Sequence, residues 1–242
     1  MGRTILSARF TSRFVTPGDR SKLARQVAGR LVQSVSRRGK FIVIRLDAGE
    51  LAVHLGMTGK LLTAGAEGVH THGVFTLDDG VLLYDDPRQF GRIEWGDARA
   101  RNLGPEPLEI GLPEFSAALR KRKTRVKALL LNQAFLAGLG NIYVDEILFQ
   151  SGIHPLAHAS RLSAVRAARL HQAMVETLRL AIEHRGSSIS DYVDGDGNRG
   201  DFQTLHRVYG RGGEPCTACG AAIKKMVVAG RGTHFCAICQ KR

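Results

Sequence analysis

The chain holds four cysteines, all in two Cys-x-x-Cys pairs, Cys216 with Cys219 and Cys236 with Cys239, with sixteen residues between the pairs. No other feature narrows the fold as much. Tetrahedral zinc takes four soft ligands at about 2.3 Å, and two such knuckles carried on a hairpin supply that geometry. Residues 223–228 and 233–235 can pair across Ala229-Gly230-Arg231-Gly232, so the sequence predicts a zinc-stapled β-hairpin within residues 206–242. Four protein ligands leave no open position for water, which makes the expected Zn2+ structural. Two disulfides or free thiols are the other readings, and a reducing compartment disfavours disulfides. The hairpin so held is basic, with Lys224, Lys225 and Arg231.

Charge points the same way. The chain of 242 residues has 35 Lys plus Arg against 22 Asp plus Glu, a net charge of +13. Such a surface favours a polyanion, and phosphate backbones reward it through counterion release; ribosomal, RNA-binding and membrane-surface proteins share the composition. No apolar run reaches the roughly 20 residues that span a bilayer, so no membrane partner is expected. The opening Met1-Gly2-Arg3-Thr4-Ile5-Leu6 lacks the sustained apolar core of a secretory signal, and a cytoplasmic location is expected.

The first hundred residues read as sheet. Residues 41–46 and 51–55 flank Asp47-Ala48-Gly49-Glu50, and residues 74–77 and 81–84 flank Asp78-Asp79-Gly80, two hairpins with glycine where positive φ is cheap. A β-sandwich or barrel over residues 1–104 is the economical assembly. Asn102-Leu103-Gly104-Pro105-Glu106-Pro107 ends that texture, and helical patterns follow over 112–202. Pro113 suits a first helical turn, Thr124 is expected to cap a helix over 125–133, and Ser163 to cap one carrying Leu170, Met174, Leu178 and Ile182. Gly186 should stop that helix, and residues 191–201 read as an exposed loop. The fold class is therefore α+β and multidomain.

Ordered segments along the chain carry a resemblance: Arg37-Arg38-Gly39-Lys40-Phe41, His54-Leu55-Gly56-Met57-Thr58-Gly59, Asp86-Pro87-Arg88-Gln89-Phe90-Gly91 and Leu103-Gly104-Pro105-Glu106-Pro107-Leu108. Lys123-Thr124, Gly138-Leu139-Gly140-Asn141-Ile142-Tyr143, Gly152-Ile153-His154-Pro155, Val208-Tyr209-Gly210-Arg211 and the cysteine hairpin continue the series. The chain resembles the bacterial formamidopyrimidine-DNA glycosylases, and endonuclease VIII less, because of the long loop before Val208. That resemblance implies a β-sandwich, a helix-two-turn-helix domain and a C-terminal zinc finger, acting on damaged double-stranded DNA as a monomer, with no obligate protein partner, at the bacterial nucleoid.

It also implies roles. Excising a base requires taking it out of the stack and filling the hole. Met57, Arg88 and Phe90 match the family's filling trio, and Gln89 stands where a second cation is common. Asn141, at a helix N-terminus after two glycines, can offer amide groups to a phosphate; His70 and Lys123 match DNA contacts. Lys40 matches the proton carrier of β-elimination and Arg231 that of δ-elimination, so the implied activity is glycosylase and lyase on oxidised purines (8-oxoguanine and formamidopyrimidines). His54, on an apolar strand, is expected to be a core or hydrogen-bonding histidine.

In the family the nucleophile is an N-terminal proline in Pro-Glu-Leu-Pro-Glu. An α-amine, with a pKa of about 7.7 to 8.0, holds more free base at neutral pH than lysine at about 10.4. Met1-Gly2-Arg3-Thr4-Ile5 instead resembles family text further in, at the first strand, and no residue matches the amine. The expectation is a preceding segment that carries it, with poor solubility for the chain without it. The competing readings are a damage-binding protein without catalysis and an unrelated zinc-ribbon protein that binds RNA. Lys40 as a substitute amine would give lyase activity without base excision.

Overall fold

The computed structural model describes residues 1–96, 100, 102–189 and 192–242. Two compact units divide the chain, residues 1–102 with 187–201 and residues 103–186 with 202–242.

In the first unit the strands are β1 (Thr4–Phe10), β2 (Arg30–Arg38), β3 (Phe41–Leu46), β4 (Glu50–His54), β5 (Lys60–Leu62), β6 (Thr71–Leu77), β7 (Val81–Asp85) and β8 (Arg92–Trp95). They hydrogen-bond in the order β5-β7-β6-β1-β2-β3-β4-β8, all antiparallel. β1 registers with β2 only at Thr4–Leu31 and Ile5–Arg30, then shifts and runs along β6 as far as Phe10–Gly73. That corner folds the sheet into two halves with one core between them. Phe10 and Phe75 meet edge to face at 5.4 Å, and Ile44, Leu51, Val53 and Ile93 close the other side. Gly73 of β6 lies so close to β8 that an added Cβ would stand 3.1 Å from Ile93 Cδ1. Each fully buried aliphatic side chain here contributes about 2 kcal/mol.

Both anticipated hairpins form, with Gly49 at φ 93° and Gly80 at φ 100°. A helix inside this strand-like region, α1 (Arg20–Val27), is one the sequence pattern did not reveal. Asp19 caps it by accepting the Lys22 N–H at 2.9 Å, and Leu23 and Val27 are its buried face. Two buried apolar positions over eight residues are too few for a helical period to stand out.

The second unit contains α2 (Leu112–Arg120), α3 (Val126–Leu130), α4 (Asn141–Gln150) and α5 (Ala164–Glu183), then the hairpin β9 (Lys224–Val228) and β10 (Arg231–Phe235). Phe115, Leu119, Leu130, Leu136, Leu139, Ile147, Leu170 and Met174 form the helical core. Ser163 caps α5, accepting the Arg166 N–H at 3.3 Å. Gly186, at φ 82°, returns its N–H to Ala181 O beyond the last turn. Pro113 sits in the first turn of α2.

Thr124 does not cap a helix over 125–133. The helix starts at Val126, its N-cap is Arg125, and it ends at Leu130. The Thr124 carbonyl is taken by the Ala159 N–H instead. Downstream, Asn132 Oδ1 accepts the Ala134 N–H, and Gln133 Oε1 accepts the Gly138 N–H while its amide donates to the Leu131 and Leu139 carbonyls. Side chains that capture local backbone groups in this way compete with helix continuation.

The units also group residues differently from the sequence-based division into 1–104, 112–202 and 206–242. Residues 187–201 pack with the first unit, where Thr63 donates its N–H and hydroxyl to Gly195 O at 2.9 and 3.2 Å. Asp191, the first residue of the anticipated loop, lies outside the described residues. The cysteine hairpin belongs to one compact unit with the helices. No helix among the described residues is long and apolar enough to cross a membrane.

Candidate metal centre and nucleic-acid interface

The hairpin turn is tighter than the spacing suggested. β9 and β10 pair from Arg231–Val228 to Phe235–Lys224, leaving Ala229 and Gly230 as a two-residue turn with φ of 51° and 71°, the conformation that suits the strand twist. Cys216 and Cys219 precede β9, and Cys236 and Cys239 follow β10. Their four Sγ atoms lie within 4.8 Å of one another, with Cys216–Cys239 at 3.9 Å and Cys219–Cys236 at 3.5 Å. A tetrahedron of sulfurs around zinc at about 2.3 Å has edges of about 3.8 Å, whereas a disulfide needs about 2.05 Å. The donor set fits one structural zinc, held by all four cysteines. Gln240, 1% exposed, accepts the Cys236 N–H and donates to Ile153 O. That glutamine locks the second knuckle to the helical part of the unit.

A second anchor was not legible in the sequence. Lys127 on α3 and Asp145 on α4 form an ion pair at 2.5 Å with both side chains fully buried. Asp145 Oδ2 accepts the His234 N–H at 2.9 Å, and Lys127 Nζ donates to Gly232 O at 3.2 Å. Burial pulls the Lys127 ammonium below its usual range and pushes Asp145 up, so each charge depends on the other. Asn141 Nδ2 also donates to Gly232 O, at 2.8 Å. One of its two amide hydrogens is thus spent on the hairpin and the other remains. Arg231, next to this clamped backbone, is exposed at the start of β10. Glu146, also buried, accepts the N–H groups of Arg207, Val208 and Tyr209 at 2.8–3.0 Å and holds the segment leading to the first knuckle.

In the first unit, Met57, Arg88 and Phe90 come together on two abutting loops. A Cβ on Gly56 would stand 2.7 Å from the Phe90 carbonyl carbon, and one on Gly91 would collide with the Tyr84 hydroxyl at 1.6 Å. Only glycine allows this approach. Asp86, 0% exposed, is the hub: it accepts Thr58 Oγ1 at 2.5 Å and the Gly91 N–H at 2.8 Å, with the Tyr84 hydroxyl at 3.4 Å. Burial first, then the nearby Asp86, raises the Tyr84 phenol far above its ordinary range, keeping it a donor. On this platform Met57 is 62% and Phe90 51% exposed, and the Arg88 guanidinium lies 4.5 Å above the Phe90 ring. Gln89, at φ 53°, accepts the Ser12 hydroxyl at 2.5 Å and is a supporting residue. Asp86→Ala strands three donors, and we expect a loss of about 3 kcal/mol of stability, read by urea unfolding; Asp86→Asn should lose less.

Lys40 is exposed in the turn between β2 and β3, beside Gly39 at φ 57°. His54 behaves as its strand position suggests: its Nδ1 accepts the Gly56 N–H at 3.0 Å and its ring packs on Phe41. The exposed His70 lies just before β6, its carbonyl accepting the Asp86 N–H. Lys123 is exposed between α2 and α3. Asp86, Lys127, Asp145 and Gln240 are the residues sequence reasoning missed. Asp86 and Asp145 lay inside quoted or adjoining motifs, but only burial distinguishes them from surface charges.

Three family models match in order along the chain: the formamidopyrimidine-DNA glycosylase N-terminal domain over residues 1–93, the formamidopyrimidine-DNA glycosylase H2TH domain over 103–193, and the zinc finger found in FPG and IleRS over 213–242. A formamidopyrimidine-DNA glycosylase of Solibacter usitatus is 52% identical over 247 aligned residues, covering 100% of this chain and 94% of the relative. Among solved structures, the MutM (FPG) protein of Thermus thermophilus superimposes with a TM-score of 0.89 at 41% identity, covering 99% of this chain and 92% of that one. The Lactococcus lactis FPG (MutM) in complex with a FAPY-dG containing DNA gives 0.90 at 37%, covering 100% and 94%. With its glycine-locked loop pair, its four-cysteine hairpin and these matches from end to end, the chain belongs to the formamidopyrimidine-DNA glycosylase family.

Proposed function

We propose that this protein is a base-excision-repair DNA glycosylase that binds damaged duplex DNA, removes oxidised purines of the formamidopyrimidine and 8-oxoguanine class, and nicks the strand by β,δ-elimination. The observation that carries the reading is the rigid display of Met57 and Phe90. Two large apolar side chains stand exposed on a platform that glycine contacts and a buried carboxylate hold in place, with a cation stacked on one of them. A flipped nucleotide leaves a hole in the stack, and side chains carried on a fixed backbone fill it without the further cost of ordering a loop. Arg88 then faces the orphaned base. His70, Lys123 and the remaining amide hydrogen of Asn141 serve as phosphate contacts, in keeping with the net charge of +13. Lys40 moves a proton on the opened sugar and Arg231 serves the second elimination. The protein works as a monomer in the bacterial cytoplasm.

The test uses a duplex with one formamidopyrimidine or 8-oxoguanine, reading base release, strand scission and borohydride trapping separately. Met57→Ala should lower excision by roughly tenfold or more, equivalent to about 1.4 kcal/mol or more of transition-state free energy, with affinity for undamaged duplex unchanged. Unaltered excision in that variant removes the wedge from the account. Binding with neither release nor adduct would make the protein a damage binder, and an adduct mapped to Lys40 would make that lysine the nucleophile.

A further inference from the structure

Several arginines of this protein lie within ion-pair distance of a carboxylate. Arg3, Arg9, Arg30, Arg45 and Arg211 each meet a carboxylate. In the second unit several arginines without such a partner among the described residues gather at one place. A cavity of about 380 Å³ is lined by Arg125, Arg161, Arg166, Arg242 and His158, with Leu156 and Ala157 completing it and no Asp or Glu among its walls. Guanidinium groups stay charged at any working pH, and gathering four around one cavity favours an anion among them.

The cluster is assembled by backbone pairing between distant segments. Arg125 and His158 are partners in an antiparallel bridge, flanked by Val126 N–H to Ala157 O at 2.8 Å and Ala159 N–H to Thr124 O at 3.0 Å. The C-terminal segment is fastened beside them by His154 N–H to Lys241 O and Lys241 N–H to Gly152 O. Two of the guanidiniums are themselves held: Arg125 Nη1 donates to Leu156 O at 2.9 Å and Arg166 Nη2 to Lys241 O at 2.7 Å. Each keeps most of its five donors for something else. The field reaches neighbouring groups, since burial and then the charge of Arg242 lower His154 from its usual value.

We propose that this cavity is a phosphate-binding site, a cluster of four arginines, two of them tethered to backbone carbonyls, that takes a tetrahedral oxyanion by charge-assisted, bidentate bonds. None of its residues has a role in the proposed excision chemistry, and the site goes beyond that reading. The phosphate has two sources: a phosphodiester of the DNA backbone or a free phosphate or pyrophosphate.

The test compares the zinc-loaded protein with the double variant R161A/R242A, whose altered side chains hold no part of the backbone pairing; a thermal melt checks folding. Calorimetric titration with pyrophosphate should show one saturable site, weakened at least tenfold in the variant. The salt dependence of affinity for an undamaged duplex separates the sources. A slope reduced by about 1 for each phosphate no longer neutralised, with pyrophosphate competing against duplex, assigns the site to the DNA backbone. Loss of pyrophosphate binding with an unchanged slope assigns it to a free anion. Equal pyrophosphate affinity in both proteins, or no saturable binding together with an unchanged slope, overturns the site. Neither measurement reads base excision, so its outcome is independent of the glycosylase reading.

Discussion

Chelating the metal, or replacing the exposed ligand in Cys219→Ser, is expected to abolish duplex binding while most helical signal persists. The reason lies in how the second unit is layered. Its helical core is built from residues between Ile110 and Met174, while the cysteine hairpin has a small cluster of its own, in which Cys216 and Cys236 are buried against Phe149, Val208 and Ile223. Two five-residue strands are marginal alone in water, and zinc contributes about 10–16 kcal/mol to folding in finger peptides. Without it, thiols within 4.8 Å of one another lose their only centre of attraction, and Lys224, Lys225 and Arg231 lose their fixed positions. The measurement pairs metal stoichiometry, expected at one zinc per chain, with duplex affinity, expected to fall by two orders of magnitude or more. Full affinity in the metal-free protein would falsify the assignment of the hairpin as a DNA-facing element.

Breaking the buried pair has the next largest effect. Lys127→Ala or Asp145→Ala leaves the partner charge in a fully buried site, which costs about 3–5 kcal/mol. Replacing both by apolar residues, as in K127M/D145L, should restore most of that stability, because the desolvation of two charges disappears along with their attraction. Function should not return with it. The bonds that Asp145 makes to the His234 N–H and Lys127 makes to Gly232 O stay absent in the double variant, so of these three helix side chains only Asn141 still holds the hairpin backbone beside Arg231. We expect the double variant to melt near the parent temperature yet to nick abasic DNA more slowly at the second elimination step. Parental nicking would show that the pair supports folding only.

The legible parts of this chain are those whose cause is local. Cys216, Cys219, Cys236 and Cys239 announce a metal by spacing; Gly49 and Gly80 mark hairpins because positive φ is cheap only there; Ser163 and Gly186 bracket α5 by capping chemistry. Thr124 misled because the bridge between Arg125 and His158 fixes where α3 begins, and that pairing joins segments far apart in the chain. α1 escaped because eight residues with two buried positions carry too little periodicity.

The candidate site divides along the same line. Met57, Arg88 and Phe90 stood out in the sequence through their motifs, yet as residue types an exposed wedge and a core residue are indistinguishable. The fold left Met57 and Phe90 exposed, by setting Gly56 against Phe90 and burying Asp86 beneath both loops. Lys127 and Asp145 looked like two more charges in a basic chain; tertiary packing made them a buried clamp on Gly232 and His234. By itself the sequence determined ligand chemistry, turn positions and net charge, since these depend on residue type and short spacing. Which polar groups are buried, and which apolar ones are left in water, only the tertiary structure decided, because burial is a property of distant segments brought together.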